Sequence, residues 1–261
     1  MFKITTSNKI FAPLFVAAML APFVGYIHQA EAQYVQDGLL GYWSFDADTI
    51  QGKTVKDVSG NNNDGEIVGA SIKNVDGKVG EALKFGEFGE FVDTGLLVSP
   101  AEFDELTMMA WAKPAQKHGA WGALMAADDG GWDRGYGYRI ETWEIQVGHG
   151  GDWQPGPKIE IDKWQHTAVV YIAPKEARFY LNGERFDFNQ VTPTTSTNTL
   201  LIGADIACGP NCVFIGAIDE VLVYHRALSD VEIKRNFTAT GLAVDSTGKL
   251  ALTWGKLKMS K

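Results

Sequence analysis

The dipeptide Asn182-Gly183 sits inside "ARFYLNGERFDF", residues 177–188, between two stretches that alternate apolar and polar side chains. A two-residue type I′ hairpin needs positive φ at both central positions, and Asn-Gly meets that need at least steric cost. The turn sets the register: Leu181 faces Glu184, Tyr180 faces Arg185, Phe179 faces Phe186 and Arg178 faces Asp187. One face then carries an aromatic pair and the other an ion pair, a combination that cross-strand energetics favour. "HTAVVYI" (166–172) stands just upstream and supplies a third strand for a meander.

The same grammar recurs along the chain. "LLGYWSF" (39–45), "EALKF" (81–85), "EFVDTG" (90–95) and "LTMMAWAKP" (106–114) are short apolar or alternating runs. Gly/Asn/Asp clusters such as "DVSGNNNDGEIVG" (57–69) separate them, which is the pattern of an antiparallel β-sandwich. Helix is scarce. Ser229 followed by Glu232 forms a capping box, and Val231, Ile233 and Phe237 give a short helix an apolar side.

The first residues read differently. Lys3 and Lys9, the apolar run Ile10–Ile27 and the small-x-small triplet Ala30-Glu31-Ala32 predict a signal peptide over 1–32. Pro13 and Pro22 argue against a spanning helix, and no comparable apolar run follows. The expectation is a secreted product (extracellular, cell-surface or periplasmic) with no membrane association beyond that segment. A formal charge of −9 without basic clusters argues against nucleic acid as a partner. Cys208 and Cys212 flank Gly-Pro-Asn, and in an oxidising compartment they predict a disulfide closing a short loop. Asn236-Phe237-Thr238 is a glycosylation sequon.

Residues 214–224 pose the functional question. Asp219 and Glu220 stand within an apolar run whose strict alternation puts Asp219 with Val221 and Val223, and Glu220 with Ile218, Leu222 and Tyr224. Both faces are apolar, so the strand is central, and an ionised carboxylate there costs several kcal/mol unless paired or metal-bound. Asp46 closes "YWSFD", while Asp57 and Asp64 bracket "VSGNNN". Calcium, which takes six to eight oxygens from carboxylates, Asn side chains and carbonyls, would resolve the cost. The plainer alternative has Asp219 accepting loop amides and Glu220 reaching solvent.

At this point a family resemblance enters. "LLGYWSFDAD", "DVSGNNNDG", "GKVGEALKF", "EFVDTG", "LTMMAWAKP", "WQHTAVVY", "RFYLNGE", "LIGADI" and "GAIDEVLVYHRALSDVEI" follow one another in the order of LamG-like jellyroll domains. These belong to the concanavalin A-like lectin/glucanase superfamily. The resemblance spans roughly 39–237 and leaves 238–261 as a tail or edge strand. It implies an all-β, two-sheet antiparallel jelly roll with a short C-terminal helix, its first and last strands adjacent, often with a calcium site at one rim. Carried over, Asp46 and Asp219 look like metal carboxylates, and the loop at Asn61, Asn62 and Asp64 looks like the remaining donor set.

Catalysis finds little support in the residues. Retaining glucanases place two carboxylates on one strand face, about 5–5.5 Å apart. "IEIDKWQ" offers Glu160 and Asp162 but lacks the second glutamate, and Glu141 and Glu144 in "IETWEIQ" are three apart, so they point to opposite faces of a strand. His118, His149 and His166 are scattered. The segment 117–158 suits binding better. Asp128, Asp129, Trp132, Arg134, Tyr136 and Trp153 combine aromatic faces with hydroxyl-binding polar groups, as sugar recognition requires. The expectation is a non-catalytic glycan-binding module with structural calcium; an adhesion module for an extracellular protein is the alternative.

Overall fold

The computed structural model describes residues 33–131, 134–146, 154–173, 176–189 and 194–242. The expected signal peptide and most of the C-terminal tail lie outside them. In chain order the strands are β1 (Leu39–Trp43), β2 (Ile50–Gln51), β3 (Thr54–Val55), β4 (Gly65–Val68), β5 (Lys73–Asp76) and β6 (Glu81–Phe85). There follow β7 (Phe91–Leu97), β8 (Glu105–Pro114), β9 (Gly122–Ala127), β10 (Arg134–Arg139), β11 (Thr142–Gln146) and β12 (Gln154–Lys158). The last are β13 (Gln165–Ile172), β14 (Glu176–Leu181), β15 (Glu184–Asn189), β16 (Thr199–Ile202) and β17 (Gly216–Tyr224), before helix α1 (Asp230–Thr238).

Two antiparallel sheets result. The first runs β15-β14-β13-β8-β17-β6-β5 with β1 also on β17; the second runs β12-β11-β10-β9-β16-β7-β4-β3-β2. The inner faces meet in one core, where Trp43, Phe85, Met108 and Ile218 of the first sheet meet Leu124, Tyr138 and Trp143 of the second. A separate apolar layer covers part of the first sheet's outer face. There Met109, Leu222 and Tyr224 pack under Ile233 of α1 and under Tyr34 and Val35. The capping box at Ser229 and Glu232 is formed and starts α1 where expected.

The Asn182-Gly183 hairpin has the register that its turn demands. Its charges pair differently from expectation. Arg178 bonds Glu176 (2.5 Å) and Arg185 bonds Asp187 (2.6 Å), each two residues along its own strand. Same-face neighbours along a strand are within reach of a long guanidinium, so the cross-strand Arg178–Asp187 pair is not made.

β17 departs from strict alternation. Glu220 has φ +52°, and the register against β8 shifts between Asp219 and Leu222. This bulge flips side-chain parity, so Ile218, Val221 and Val223 all face the inter-sheet core, while Leu222 and Tyr224 face outward. The bulge falls where the strand changes partner. β6 pairs Gly216–Ile218, and β1 pairs the same edge from Val221 onward.

The segments flanking the sandwich are tied together. The Tyr34 amide donates to the Gly241 carbonyl (2.8 Å), the Val35 amide to Asn236 Oδ1 (2.8 Å), and Arg235 Nε to the Gln33 carbonyl (2.7 Å). Asn236 is fully buried in this clasp, so its sequon is closed to a glycosyltransferase while the domain is folded.

Candidate functional site

The partner change leaves one edge of β17 without a neighbour at its two acids, between β6 and β1, while Asp219 stays opposite Trp111 of β8. Each acid finds donors for its side chain. Asp219 Oδ2 accepts the Lys78 and Val79 amides (2.7 and 3.0 Å) from the turn that leads into β6. Asp46, just past β1, accepts the Glu81 amide on Oδ1 (2.9 Å) from the same turn. Glu220 Oε2 accepts two phenols, Tyr34 and Tyr42, the latter at 2.7 Å. The plainer reading thus holds for Asp219's amides and fails for Glu220, which is buried and not solvated.

Glycines let the turn come this close. A Cβ on Gly80, whose φ is +60°, would lie 2.1 Å from Asp46 Oδ1, and one on Gly77 would lie 2.7 Å from Asp219 Oδ2. Side chains at either position would occupy the space between turn and carboxylates. Burial pushes Asp219 up to about 8, with Glu220 and Asp46 adding repulsion that the amide bonds only partly offset. Glu220 is pushed up to about 7, again chiefly by burial, against the two phenols that favour its ionised form.

The other expected metal residues are engaged elsewhere. Asp64 binds Lys56 Nζ (2.5 Å) and accepts the Asp57 amide (3.0 Å). Asn61 donates to the Leu39 and Leu40 carbonyls, and Asn62 is exposed with φ +64°. Asp57 organises this loop instead, accepting the Tyr42, Ser59 and Asn63 amides. The hydrogen bonds of Asn61 and Asp64 therefore run to the loop itself and to β1, not to Asp46 or Asp219.

Asp46 and Asp219 do fit a hard cation. Asp219 Oδ1 is buried with no hydrogen-bond partner, and neither aspartate forms an ion pair among the described residues. Among the described residues no three His, Cys, Asp or Glu side chains converge as a cage. A calcium ion there would take two carboxylates and fill its shell from carbonyls and water. The signal that could have pointed to this turn is the glycine spacing in "DGKVGE", residues 76–81.

The expected ligand residues divide. Trp132 and Trp153 lie outside the described residues. Asp129 is exposed and accepts both the amide and the hydroxyl of Thr197 (2.9 and 3.1 Å). Asp128 is buried; its carboxylate accepts the Gly130 amide (2.8 Å) and Gln146 Nε2 (3.3 Å). Arg134 and Tyr136 are fully buried. Arg134 donates to the Val98 carbonyl (2.7 Å) and lies over the Tyr171 ring, and Tyr136 packs against Phe179, so both serve the interior and not a surface ligand. The alternation of "RGYGYR" turns Tyr136 and Tyr138 into the sandwich and its glycines outward. Sequence reading did not single out Asp205, a buried acid beside Asp128 that burial and that neighbour push up to about 7.

The glutamates of the two glucanase-like stretches are engaged separately: Glu141 with Lys117, Glu144 with Arg139 (3.2 Å) and Glu160 with Lys163. Buried His166 is held neutral, its proton affinity pushed down to about 3 by burial; His149 lies outside the described residues. Cys208 and Cys212 form the expected disulfide.

Two facing antiparallel sheets and, among the described residues, one short C-terminal α-helix make a concanavalin A-like jelly-roll sandwich. The laminin G model of the concanavalin A-like lectin/glucanases superfamily matches residues 91–234, and the chain belongs to that superfamily. The sequence matches no curated protein. Among solved structures, the chain is similar to a mutant Trypanosoma rangeli sialidase displaying trans-sialidase activity (19% identity, TM-score 0.62). That likeness covers 78% of this chain but 33% of the sialidase. It is also similar to domain 4 of AbnA, an extracellular arabinanase from Geobacillus stearothermophilus, in complex with arabinotriose (21% identity, TM-score 0.57; 79% and 98% covered). A third likeness is to the binding domain of Paraclostridial Mosquitocidal Protein 1 (15%, 0.58; 77% and 52%). At these identities the likeness shows the fold.

Proposed function

We propose that this protein is a secreted, non-catalytic carbohydrate-binding module whose rim is held by calcium. The observation that carries the calcium is the buried, partnerless oxygen of Asp219 beside Asp46, in a turn kept open by Gly77 and Gly80. The donor set is Asp46 and Asp219 with backbone oxygens, and the loop at Asn61, Asn62 and Asp64 stands apart from it. Carbohydrate binding draws support from the superfamily and from the arabinotriose held by the similar arabinanase domain. The disulfide suits an oxidising compartment, and no helix among the described residues is long and apolar enough to cross a membrane.

The bound metal would supply fixed positive charge where two carboxylates meet. The chain's own groups do the rest: the turn amides orient Asp219, and the phenols of Tyr34 and Tyr42 hold Glu220 at the adjacent residue. Glycan-array binding by the whole protein tests the ligand reading. Trp132→Ala is expected to lower that binding roughly tenfold or more, the scale of losing one buried aromatic anchor. An array silent for every neutral and charged glycan would refute it.

A further inference from the structure

The outer face of the first sheet carries a second, unassigned feature beyond the edge of α1. On β8 the alternation that sends Met108, Ala110 and Ala112 into the core sends Met109, Trp111 and Lys113 outward. Lys113 is opposite Ala217 on β17, Ala217 is opposite Lys84 on β6, and Lys84 is opposite Lys73 on β5. Directly opposed residues share a face, so three lysines and one alanine form a single row across four strands. The row spans roughly 14 Å, at about 4.8 Å per strand. Lys78 adds a fourth ammonium nearby, held 4.5 Å from the centre of the Trp111 ring. Trp111 itself is almost covered, so its ring fixes Lys78 and offers no open stacking platform.

The row is hollow at its centre. A cavity of about 300 Å³ lies between Lys84 and Lys113, floored by Gly216 and Ala217. Gly216 is obligatory there, because a Cβ would sit 2.2 Å from the Lys113 carbonyl oxygen. Asp76 and Asp162 also line the cavity, yet none of the four lysines forms an ion pair among the described residues. Lys73 and Lys84 oppose each other directly, an arrangement that costs stability without a counter-charge. In a chain with 32 acidic and 23 basic residues, this row gathers four lysines on one face, while Asp76 and Asp162 line its central cavity and Glu87 and Glu90 line a second one beside Lys73 and Lys84.

We propose that this row binds an acidic polysaccharide, with a carboxylate or sulfate group seated between Lys84 and Lys113 over Ala217. The length of the row calls for an oligomer and not a monosaccharide. Ammonium groups are point charges that recognise an anion without a fixed fork, so either acid group suits them. The saccharide nature of the ligand rests on the carbohydrate reading above; the anion site rests on the lysine row alone.

The test titrates the whole protein with polygalacturonate, dextran sulfate, unmodified dextran and duplex DNA, at ~0.05 M and ~0.5 M salt. The expected result is binding to one or both acidic polysaccharides and none to dextran, with affinity falling roughly tenfold or more at high salt. Lys84→Glu/Lys113→Glu should abolish that binding while melting like the wild type. Should the double reversal melt lower, Lys84→Ala/Lys113→Ala provides the same comparison with a smaller loss. Preference for one polymer identifies the acid group. A glycan array run beside the titration keeps the two readings apart: neutral glycans bound without either acidic polymer would support the carbohydrate reading and sink the lysine row. Three results would overturn the proposal: no binding to either acidic polymer, unchanged affinity in both lysine variants, or DNA bound as tightly as the polysaccharides.

Discussion

Asp219 shows how one side chain can be satisfied on one oxygen and exposed to risk on the other. Its Oδ2 has two amides, its Oδ1 has none, and burial holds its pKa near 8. The sign of the consequence is definite. A carboxyl whose folded value lies above its unfolded one, near 4, contributes stability that is full below that unfolded value. The contribution is lost as pH rises through the folded value, so metal-free protein should weaken from pH 7 to 9. The slope from this one group is at most ~1.4 kcal/mol per pH unit. Starting at pH 7 keeps His166 out of the window, since its change lies between about 3 and an unfolded value near 6.5. Asp219→Asn keeps an acceptor for the two amides and cannot ionise. Urea melts in chelator should show a flatter profile for the variant than for wild type over pH 7–9. Parallel profiles would show that Asp219 is not the group responsible.

Elements reveal what alternation alone cannot. The Asn182-Gly183 hairpin was legible because a turn of defined geometry fixes register, and the α1 start was legible because Ser229 and Glu232 act locally. The bulge in β17 was not, because a single residue at φ +52° reverses every face assignment beyond it without any marker in composition. The loop expected to supply metal donors bonds inward for a related reason. "GNNND" is rich in oxygen-bearing residues, but those groups satisfy the loop's own backbone around Asp57, while the plainer turn at residues 77–80 reaches the acids. That turn gives a sharp prediction. Gly80→Ala introduces a Cβ against Asp46 at a positive φ, and should destabilise by roughly 1–3 kcal/mol. Chemical denaturation reads this directly; an unchanged midpoint would mean that the turn relaxes away from the carboxylates at no cost.

At the scale of the whole molecule, calcium would act by mass action on the folded state alone. At a hundredfold excess over its dissociation constant it contributes about 2.7 kcal/mol, or roughly 5–10 °C in a domain of this size. Calorimetry of calcium-loaded protein before and after EDTA measures it, and coincident melts would remove the metal from the account. The sandwich could be read in advance, since periodicity and turn chemistry speak for each element, whereas the adjacency of its first and last strands came from the family resemblance. The lysine row could not. Lys73, Lys84, Lys113 and the Ala217 gap are scattered over more than half of the described chain, and only strand order brings them side by side. The clasp of Tyr34, Val35, Arg235 and Gly241 has a consequence of its own, because it gathers the polypeptide's entry and departure at one spot. Spliced into a loop of some larger host, such a fold would hang as a pendant without prising the host's backbone apart; strung in tandem, it would turn the thread back on itself and not extend its reach.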